Sequence, residues 1–317
     1  MTTQIQTGPD STVVIIGEVP AEKFESFRAP ALAALNQSAK IDGFRPGHIP
    51  EAVLRERLGE EKILATMAES ALREIYPIIL KDEKIDAIGR PEIQITKLAA
   101  GNPLGFKITT AVYPSFSLPD YQTLLKPLNA APRAAVTVEE KEIDELLAQS
   151  AKNQSNEAAN RPPAPTREQV KDYLLREKTQ NEKDKYRLKI LDELISRTTV
   201  TVPAILIETE LDKMLAEMKT NIVNLGGRFE DYLAHLKKTE AELKTAWRES
   251  AIKRVKSGLI LEAIAVQEKV TPDAAAVDKE IKQLLAIYPK ITSDQARSYI
   301  IHRLTNEEVF RRLEAIK

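Results

Sequence analysis

Residues 239–285 read TEAELKTAWRESAIKRVKSGLILEAIAVQEKVTPDAAAVDKEIKQLL, and this stretch decides the fold. Its apolar residues recur at every fourth position, the spacing that places side chains on one face of an α-helix. The periodicity therefore predicts two amphipathic helices, each of which buries one face. The two apolar seams are formed by Leu243, Trp247, Ala251, Val255 and Leu259, and by Val277, Ile281 and Leu285.

The ends of these helices carry recognisable stop and start signals. Thr239-Glu240-Ala241-Glu242 has the form of a capping box, and Thr271-Pro272-Asp273 predicts a Thr271 cap followed by a first-turn proline. Gly226-Gly227 predicts a helix stop further upstream. Helical periodicity continues to both sides, so an all-α domain with antiparallel arms is predicted over 166–317. Its predicted helices cover 167–197, 203–224, 228–237, 240–269, 273–288 and 294–316.

The N-terminal part has a different pattern. Residues 11–19 are rich in β-branched side chains and predict a strand, and two further strands are predicted at 92–98 and 106–113. Between them lie a helical stretch that Pro30 must kink or split and an i, i+4 stripe that should end at or soon after Pro77. The stripe consists of Ile63, Met67, Ala71 and Ile75. An α+β domain with helices on a small antiparallel sheet is therefore predicted over 1–115.

The segment 116–165 is predicted to connect these two domains. Residues 114–132 are rich in proline and in short apolar pieces, which is typical of an extended linker. One helix is expected after Thr137, whose hydroxyl is predicted to cap it while Glu140 returns the second bond. The run NQSNEAANRPPAP, residues 153–165, then interrupts every periodic pattern.

Composition narrows the functional classes. The chain has 317 residues, with 46 Lys and Arg against 47 Asp and Glu, so no overall charge drives binding to nucleic acid or to a membrane. The absence of cysteine removes disulfides and thiolate chemistry, and the N-terminal residues lack the pattern of a signal peptide. A cytoplasmic location is expected. Abundant charge and few aromatic residues favour long solvated helices over a compact enzyme.

Sites of catalysis and cofactor binding are not predicted. His48, His235 and His302 have no partners at metal-ligand spacing, and no phosphate-binding glycine loop, nucleophile elbow or dinucleotide fingerprint occurs. Paired carboxylates such as Glu139-Glu140 and Glu307-Glu308 lie in stretches of mixed charge and are better explained as solvated helix faces. We expect no catalytic residue, no metal and no cofactor.

One segment stands out from this background, Gly43-Phe44-Arg45-Pro46-Gly47-His48-Ile49-Pro50. Its glycines and prolines predict a turn between two helices that carries an aromatic ring and a guanidinium. Physical reasoning alone leaves two interpretations open. The turn either projects this pair, a common combination at binding hot spots, or is an ordinary connection with Phe44 folded inward.

This segment, placed before a long helix and a sheet, resembles the ribosome-docking signature of the bacterial trigger factor family. Residues 245–284 resemble the arm-and-cradle helices of the same family, so the similarity covers most of the chain. The resemblance implies that the turn contacts a protein of the large ribosomal subunit and rRNA at the tunnel exit. The residues assigned to this contact are Gly43, Phe44, Arg45, Pro46, Gly47 and His48. Pro46 and His48 stand where family members often have lysine, so weaker electrostatic docking is expected.

The chain departs from the family in its middle. Typical members carry an FKBP-like prolyl isomerase domain, whereas only about Asn153–Pro165 separates the helices here, and a folded domain needs at least ~50 residues. We therefore expect a shortened trigger factor without the isomerase domain.

The predicted function is ATP-independent protection of nascent and unfolded polypeptides by a ribosome-docked chaperone. Met214 and Met218 are suggested as client-binding residues, although such helical stripes are more often core. Exposed apolar surface also makes a homodimer of the free protein plausible. The alternatives are a helical scaffold or periplasmic-type chaperone without ribosome binding and, ranked last, a prolyl isomerase.

Overall fold

The computed structural model describes residues 2–41, 44–132, 135–154, 165–289 and 291–317, with the backbone alone at 151–154. Within these ranges, every strand lies in the first 112 residues and the rest of the chain is helical. The predicted fold class, an α+β N-terminal domain followed by an all-α region, is confirmed. The N-terminal elements are β1 (Thr2–Gly8), β2 (Thr12–Val19), α1 (Ala21–Glu25), α2 (Arg28–Ser38), α3 (Glu51–Leu58), α4 (Glu60–Asp82), β3 (Ala87–Lys97) and β4 (Leu104–Val112).

The helices that follow match the predicted boundaries within a few residues from α7 onward. They are α5 (Tyr121–Ala130), α6 (Glu140–Gln154), α7 (Arg167–Ser196), α8 (Ala204–Asn224), α9 (Phe229–Leu236), α10 (Glu240–Gln267), α11 (Ala274–Ile287) and α12 (Ser293–Glu314). None of the helices in the described ranges is long and apolar enough to cross a membrane.

The chain packs into two compact units. The first comprises Met1–Ser115 with Val200–Val255, and the second comprises Phe116–Thr199 with Lys256–Lys317. The sequence-based division into 1–115, 116–165 and 166–317 concerns modules along the chain and stays a prediction, because units defined by packing need not follow chain order.

The sheet of the first unit has the order β1-β2-β4-β3 and is antiparallel throughout. Strand β1 was not predicted, because its sequence TTQIQTG alternates little and is mostly polar. It pairs with β2 across a tight turn in which the Thr12 amide donates to the Pro9 carbonyl at 3.1 Å. The turn residues Asp10 and Ser11 both have a φ of 53°. The formation of such an edge strand depends more on its hydrogen bonds to the partner strand than on the β-propensity of its own side chains.

Helix α4 covers one face of this sheet. The predicted stripe of Ile63, Met67, Ala71 and Ile75 is fully buried, against Ile15, Phe106 and Ile108 of the strands. The prediction that this helix stops near Pro77 is wrong, because α4 continues to Asp82 and buries Ile79. Burial of that side chain offsets part of the ~3 kcal/mol that an interior proline costs.

The predicted break near Pro30 is confirmed but lies earlier. Helix α1 ends at Glu25 and α2 begins at Arg28, so the proline falls in the first turn of α2. Backbone N–H groups in a first turn have no partner within the helix, and proline is tolerated there. The break therefore removes the strain that Pro30 would cause inside one continuous helix.

Helix α5 corrects the prediction that residues 114–132 only connect. Asp120 caps it by accepting from the Thr123 amide at 3.1 Å, and Tyr121 and Leu125 are buried in the core of the second unit. Other residues of the same core are Ile190, Leu194, Ile260, Ile264, Val309 and Leu313. The proline content of the segment hid the i, i+4 spacing of its apolar residues, and tertiary packing overrides the composition.

Several predicted caps can be compared with the structure. The Thr239–Glu242 capping box is confirmed, since the Glu242 amide donates to the Thr239 hydroxyl at 3.2 Å and the Thr239 amide donates to the Glu242 carboxylate at 2.8 Å. The predicted caps at Thr271 and Thr137 are wrong. Asp273 caps α11 instead, by accepting from the Ala276 amide at 2.8 Å, and Glu142 accepts from the Glu139 amide before α6.

Candidate functional site

The predicted turn lies between α2 and α3 and carries its side chains outward. Phe44 is 39% exposed, and Arg45, Pro46, Gly47 and His48 are exposed as well, so the structure places these residues together on one surface. The interpretation in which Phe44 folds inward is therefore disfavoured. Gly43, the remaining residue of the predicted site, lies outside the described residues, as does Asp42.

The backbone of the turn is closed by its own hydrogen bonds. The Phe44 amide donates to the Ile41 carbonyl at 3.1 Å, and the His48 amide donates to the Arg45 carbonyl at 3.0 Å. Gly47 has a φ of 87° and open space where a Cβ would stand, so its backbone conformation and not lack of room favours glycine there. These hydrogen bonds and the positive φ of Gly47 define the backbone of the described part of the turn.

Asn36 of α2 holds the C-terminal end of this turn, and the sequence analysis missed it. Its side-chain amide donates to the Ile49 carbonyl at 2.7 Å, and its Oδ1 accepts from the Ile49 amide at 2.9 Å. Its backbone carbonyl also accepts from the Gly47 amide at 2.8 Å. The available signal was a weak helix former in the last turn of α2, directly before the turn.

An ion-pair network fixes the helices at the base of the turn. Arg28 donates to Glu60 at 2.8 Å and to Glu51 at 3.3 Å, and Arg55 lies 3.2 Å from Glu60. The hydrogen bond from Arg28 lowers the pKa of the Glu60 carboxyl and raises the pKa of Arg28. Arg45, in contrast, forms no ion pair with any described residue. Its guanidinium is available for an external acceptor.

Met214 and Met218 lie on α8 and are only half-exposed. Met214 packs against Ile207, Leu211 and Ala251, and Met218 packs against Leu215, Phe229 and Leu243. Both therefore contribute to packing, which limits the apolar surface that they offer to a client. Their client-binding role stays a prediction.

Other apolar side chains are far more exposed and were missed. Leu225 is 88% exposed and Val223 is 64% exposed, at the end of α8 before the Gly226-Gly227 stop. Ile287 and Tyr288 are similarly exposed at the end of α11. In the sequence, these residues stand beside the glycines or turns that end their helices. Apolar residues at such ends are often left uncovered by a second helix, and this position was the available signal.

The polar clusters of the second unit are structural. Arg187 donates to Glu307 at 2.7 Å and to Glu314 at 2.8 Å, and it lies 4.7 Å from the Phe310 ring centre. Hydrogen bonding to Arg187 lowers the pKa of Glu307 to about 2. Burial, followed by a hydrogen bond to Glu268, raises the pKa of Tyr121 to about 12. These groups join helices of the second unit.

The cavity and the side chains described next do not form a catalytic site in the described part of the chain. A cavity of about 560 Å³ lies beside α5 and α7, and two of its lysines, Lys183 and Lys185, are paired with Glu307 and Glu182. Among the residues that the structure describes, no three His, Asp or Glu side chains are grouped as metal ligands would be.

The described residues thus present an exposed turn at Phe44–His48 and exposed apolar side chains at the ends of α8 and α11. Two family models match the chain, the bacterial trigger factor protein over residues 1–150 and the bacterial trigger factor protein C-terminus over residues 164–314. The chain belongs to the bacterial trigger factor family. Membership supports the predicted function of a ribosome-associated chaperone, and no described feature favours the scaffold or the periplasmic-type alternative.

Curated relatives and a solved structure agree with this assignment. The chain is 22% identical to the trigger factor of Caldicellulosiruptor bescii, over 90% of this chain and 88% of the relative, and 23% identical to that of Halalkalibacterium halodurans, over 87% and 88%. It is similar in fold to a solved structure from work on promiscuous substrate recognition in folding and assembly activities of the trigger factor chaperone. That structure has a TM-score of 0.57 and 16% identity, with 100% of both chains covered.

The same comparisons leave little chain between the two matched regions. Only residues 151–163 lie between the two family matches. The alignment with the Caldicellulosiruptor bescii relative runs over 388 positions, although 90% of 317 residues is about 285, so roughly 100 positions have no counterpart here, the size of a small domain. The isomerase domain of typical members has no place in this chain.

Proposed function

We propose that this chain is an ATP-independent chaperone that docks at the ribosomal tunnel exit through Phe44–His48 and shields nascent polypeptides there. The observation that carries the proposal is that Phe44 and Arg45 are exposed side by side and that Arg45 forms no ion pair with any residue that the structure describes. An aromatic ring beside a guanidinium is a frequent hot-spot combination. The ring would pack on a protein of the large subunit while the guanidinium meets rRNA phosphate.

Client binding is assigned to exposed apolar residues away from the turn. Burying a side chain such as Leu225 contributes about 1.5–3 kcal/mol, so a few such contacts hold an unfolded segment weakly and release it once the client buries its own surface. Docking offsets this weakness by raising the local concentration of chaperone at the tunnel exit. The exposed parts of the flexible Met214 and Met218 side chains would add further apolar contacts to the client.

The remaining parts of the proposal follow from the same surfaces. The protein would act in the cytoplasm, without cofactor or catalysis, and the free protein would form a homodimer that covers its apolar helix ends. Sedimentation velocity at increasing protein concentration tests the dimer, since a concentration-independent monomer contradicts it.

Docking is tested by cosedimentation with bacterial ribosomes at controlled salt. The Phe44→Ala, Arg45→Ala variant should lose at least about tenfold in affinity, because both central contacts are removed. The matched control is Tyr173→Ala, Arg176→Ala, which removes an exposed aromatic and an exposed arginine from α7. It should pellet like the wild type.

An aggregation-suppression assay on the same variants separates docking from client binding. Both variants should still suppress aggregation, because the apolar helix ends are unchanged. If the Phe44 variant pellets as well as the wild type, the docking role of the turn is wrong. If wild type and variants all stay in the supernatant, ribosome docking itself is wrong.

A further inference from the structure

The contact between Asn36 and Ile49 joins two segments that are 13 residues apart in sequence. The Asn36 side chain bonds both backbone groups of Ile49, as a neighbouring strand would. Its Oδ1 accepts from the Ile49 amide at 2.9 Å, and its Nδ2 donates to the Ile49 carbonyl at 2.7 Å. The described residues offer these two backbone groups no other hydrogen-bond partner. The Asn36 side chain therefore adds two hydrogen bonds to the contact between α2 and the C-terminal end of the turn, beside the bond from the Gly47 amide to the Asn36 backbone carbonyl.

The core does not require this contact. Ile49 is already anchored, with only 3% of its side chain exposed, and Pro50 stands at the start of α3. Asn36 itself is half-buried on a helix whose core contacts come from Ala31 and Leu35. The side chain thus acts on the turn and contributes little to the packing of the unit.

Because the turn carries little charge, its affinity for a partner would depend on its conformation. Arg45 is the only Lys or Arg among residues 44–50, so a docking surface built here has one permanent positive charge. With little electrostatic attraction, affinity depends on a conformation that is already formed before binding. A turn that is held in one conformation loses less entropy when it docks.

We propose that Asn36 is a positioning residue that preorganises Phe44 and Arg45 for docking. This inference rests on the proposed docking function. The apparent dissociation constant rises in inverse proportion to the populated fraction of the competent conformation. Loss of two hydrogen bonds from Asn36 reduces that fraction, and we expect docking to weaken about tenfold in Asn36→Ala.

Hydrogen exchange of the full-length protein tests the holding of the turn without ribosomes. In Asn36→Ala the Ile49 amide loses its acceptor and should exchange faster than in the wild type. Asn36→Asp retains an oxygen for this amide and should keep most of its protection. The control Gln37→Ala, at the next and exposed position of α2, should leave the amide unchanged. Unaltered protection in Asn36→Ala would overturn the proposal.

Ribosome affinity measured across salt concentrations then separates positioning from charge. Asn36→Ala should weaken binding at every salt concentration with an unchanged slope, whereas Arg45→Ala should reduce the slope by about 1. Equal affinity of Asn36→Ala and wild type would contradict the inference while docking stands. If the wild type does not bind, the docking function fails and the role of Asn36 in docking fails with it. The exchange of the Ile49 amide still reports whether Asn36 holds the turn.

Discussion

At the scale of single residues, some charged side chains join two helices through several hydrogen bonds. Arg187 is the clearest example, since its side chain is 12% exposed and reaches Glu307 and Glu314 on α12 from α7. Charge-assisted, bidentate contacts of this kind are stronger and more directional than ordinary surface pairs. Such residues join elements of the second unit.

The lowered pKa of Glu307 predicts a pH dependence of stability. Its folded pKa of about 2, set mainly by the hydrogen bond from Arg187, lies below the usual unfolded value near 4.3. The contact therefore stabilises the fold above about pH 4.3 and loses its effect as the pH falls towards 2. Because the carboxylate is half-exposed, we expect a contribution of about 1 kcal/mol or less.

Thermal unfolding of wild type and Glu307→Gln at pH 7 and near pH 2 measures this contribution. The variant should be less stable than the wild type at pH 7, and the difference should shrink near pH 2. Glu249→Gln, at an exposed position of α10, is the control and should show no such trend. A difference between wild type and Glu307→Gln that is the same at both pH values contradicts the assignment.

At the scale of elements, α5 is the least expected part of the chain. Its end contacts the end of another helix, since the Asn129 amide donates to the Leu313 and Ile316 carbonyls, each at 2.8 Å, and the Tyr186 hydroxyl donates to Asn129. These bonds satisfy carbonyls that the end of α12 leaves without helical partners. The segment thus caps a neighbouring helix as well as filling the core.

The role of α5 is tested by Leu125→Ala. Leu125 is fully buried in the second unit, so its truncation should cost about 2–5 kcal/mol of unfolding free energy. Lys126→Ala, on the exposed side of the same helix, should change stability by less than about 0.5 kcal/mol. Urea unfolding followed by circular dichroism compares the two, and a small effect of both substitutions would support a simple linker.

At the scale of the whole molecule, the chain combines the turn proposed for docking with exposed apolar helix ends. The two proposed surfaces share no residue, because Phe44–His48 lie between α2 and α3 whereas Leu225 ends α8. Phe44–His48 lie within the first family match, 1–150, and Leu225 lies within the second, 164–314.

A proline-peptide assay follows from this organisation. The chain should interconvert cis and trans X-Pro bonds no faster than buffer, over the tens to hundreds of seconds of the uncatalysed reaction. A trigger factor that retains its isomerase domain is the positive control. Acceleration by this chain in proportion to its concentration would show that an isomerase site exists outside the expected domain.

Much of the candidate site is visible in the sequence because turns are local. Glycine and proline at fixed offsets predicted the turn at 43–50, and an aromatic beside an arginine marked it as a binding surface. Asn36 and Leu225 were not predicted, since the first acts on a carbonyl 13 residues away and the second matters only because nothing covers it. Contact and exposure are properties of the folded chain.

The same division holds for the fold. The helices from α7 to α12 were determined by the sequence alone, because helical hydrogen bonds and caps join residues three or four positions apart. Tertiary structure decided the polar edge strand β1, the continuation of α4 past Pro77, and the packing of α5. In each case a distant partner supplies hydrogen bonds or apolar burial that outweighs the local preference of the segment.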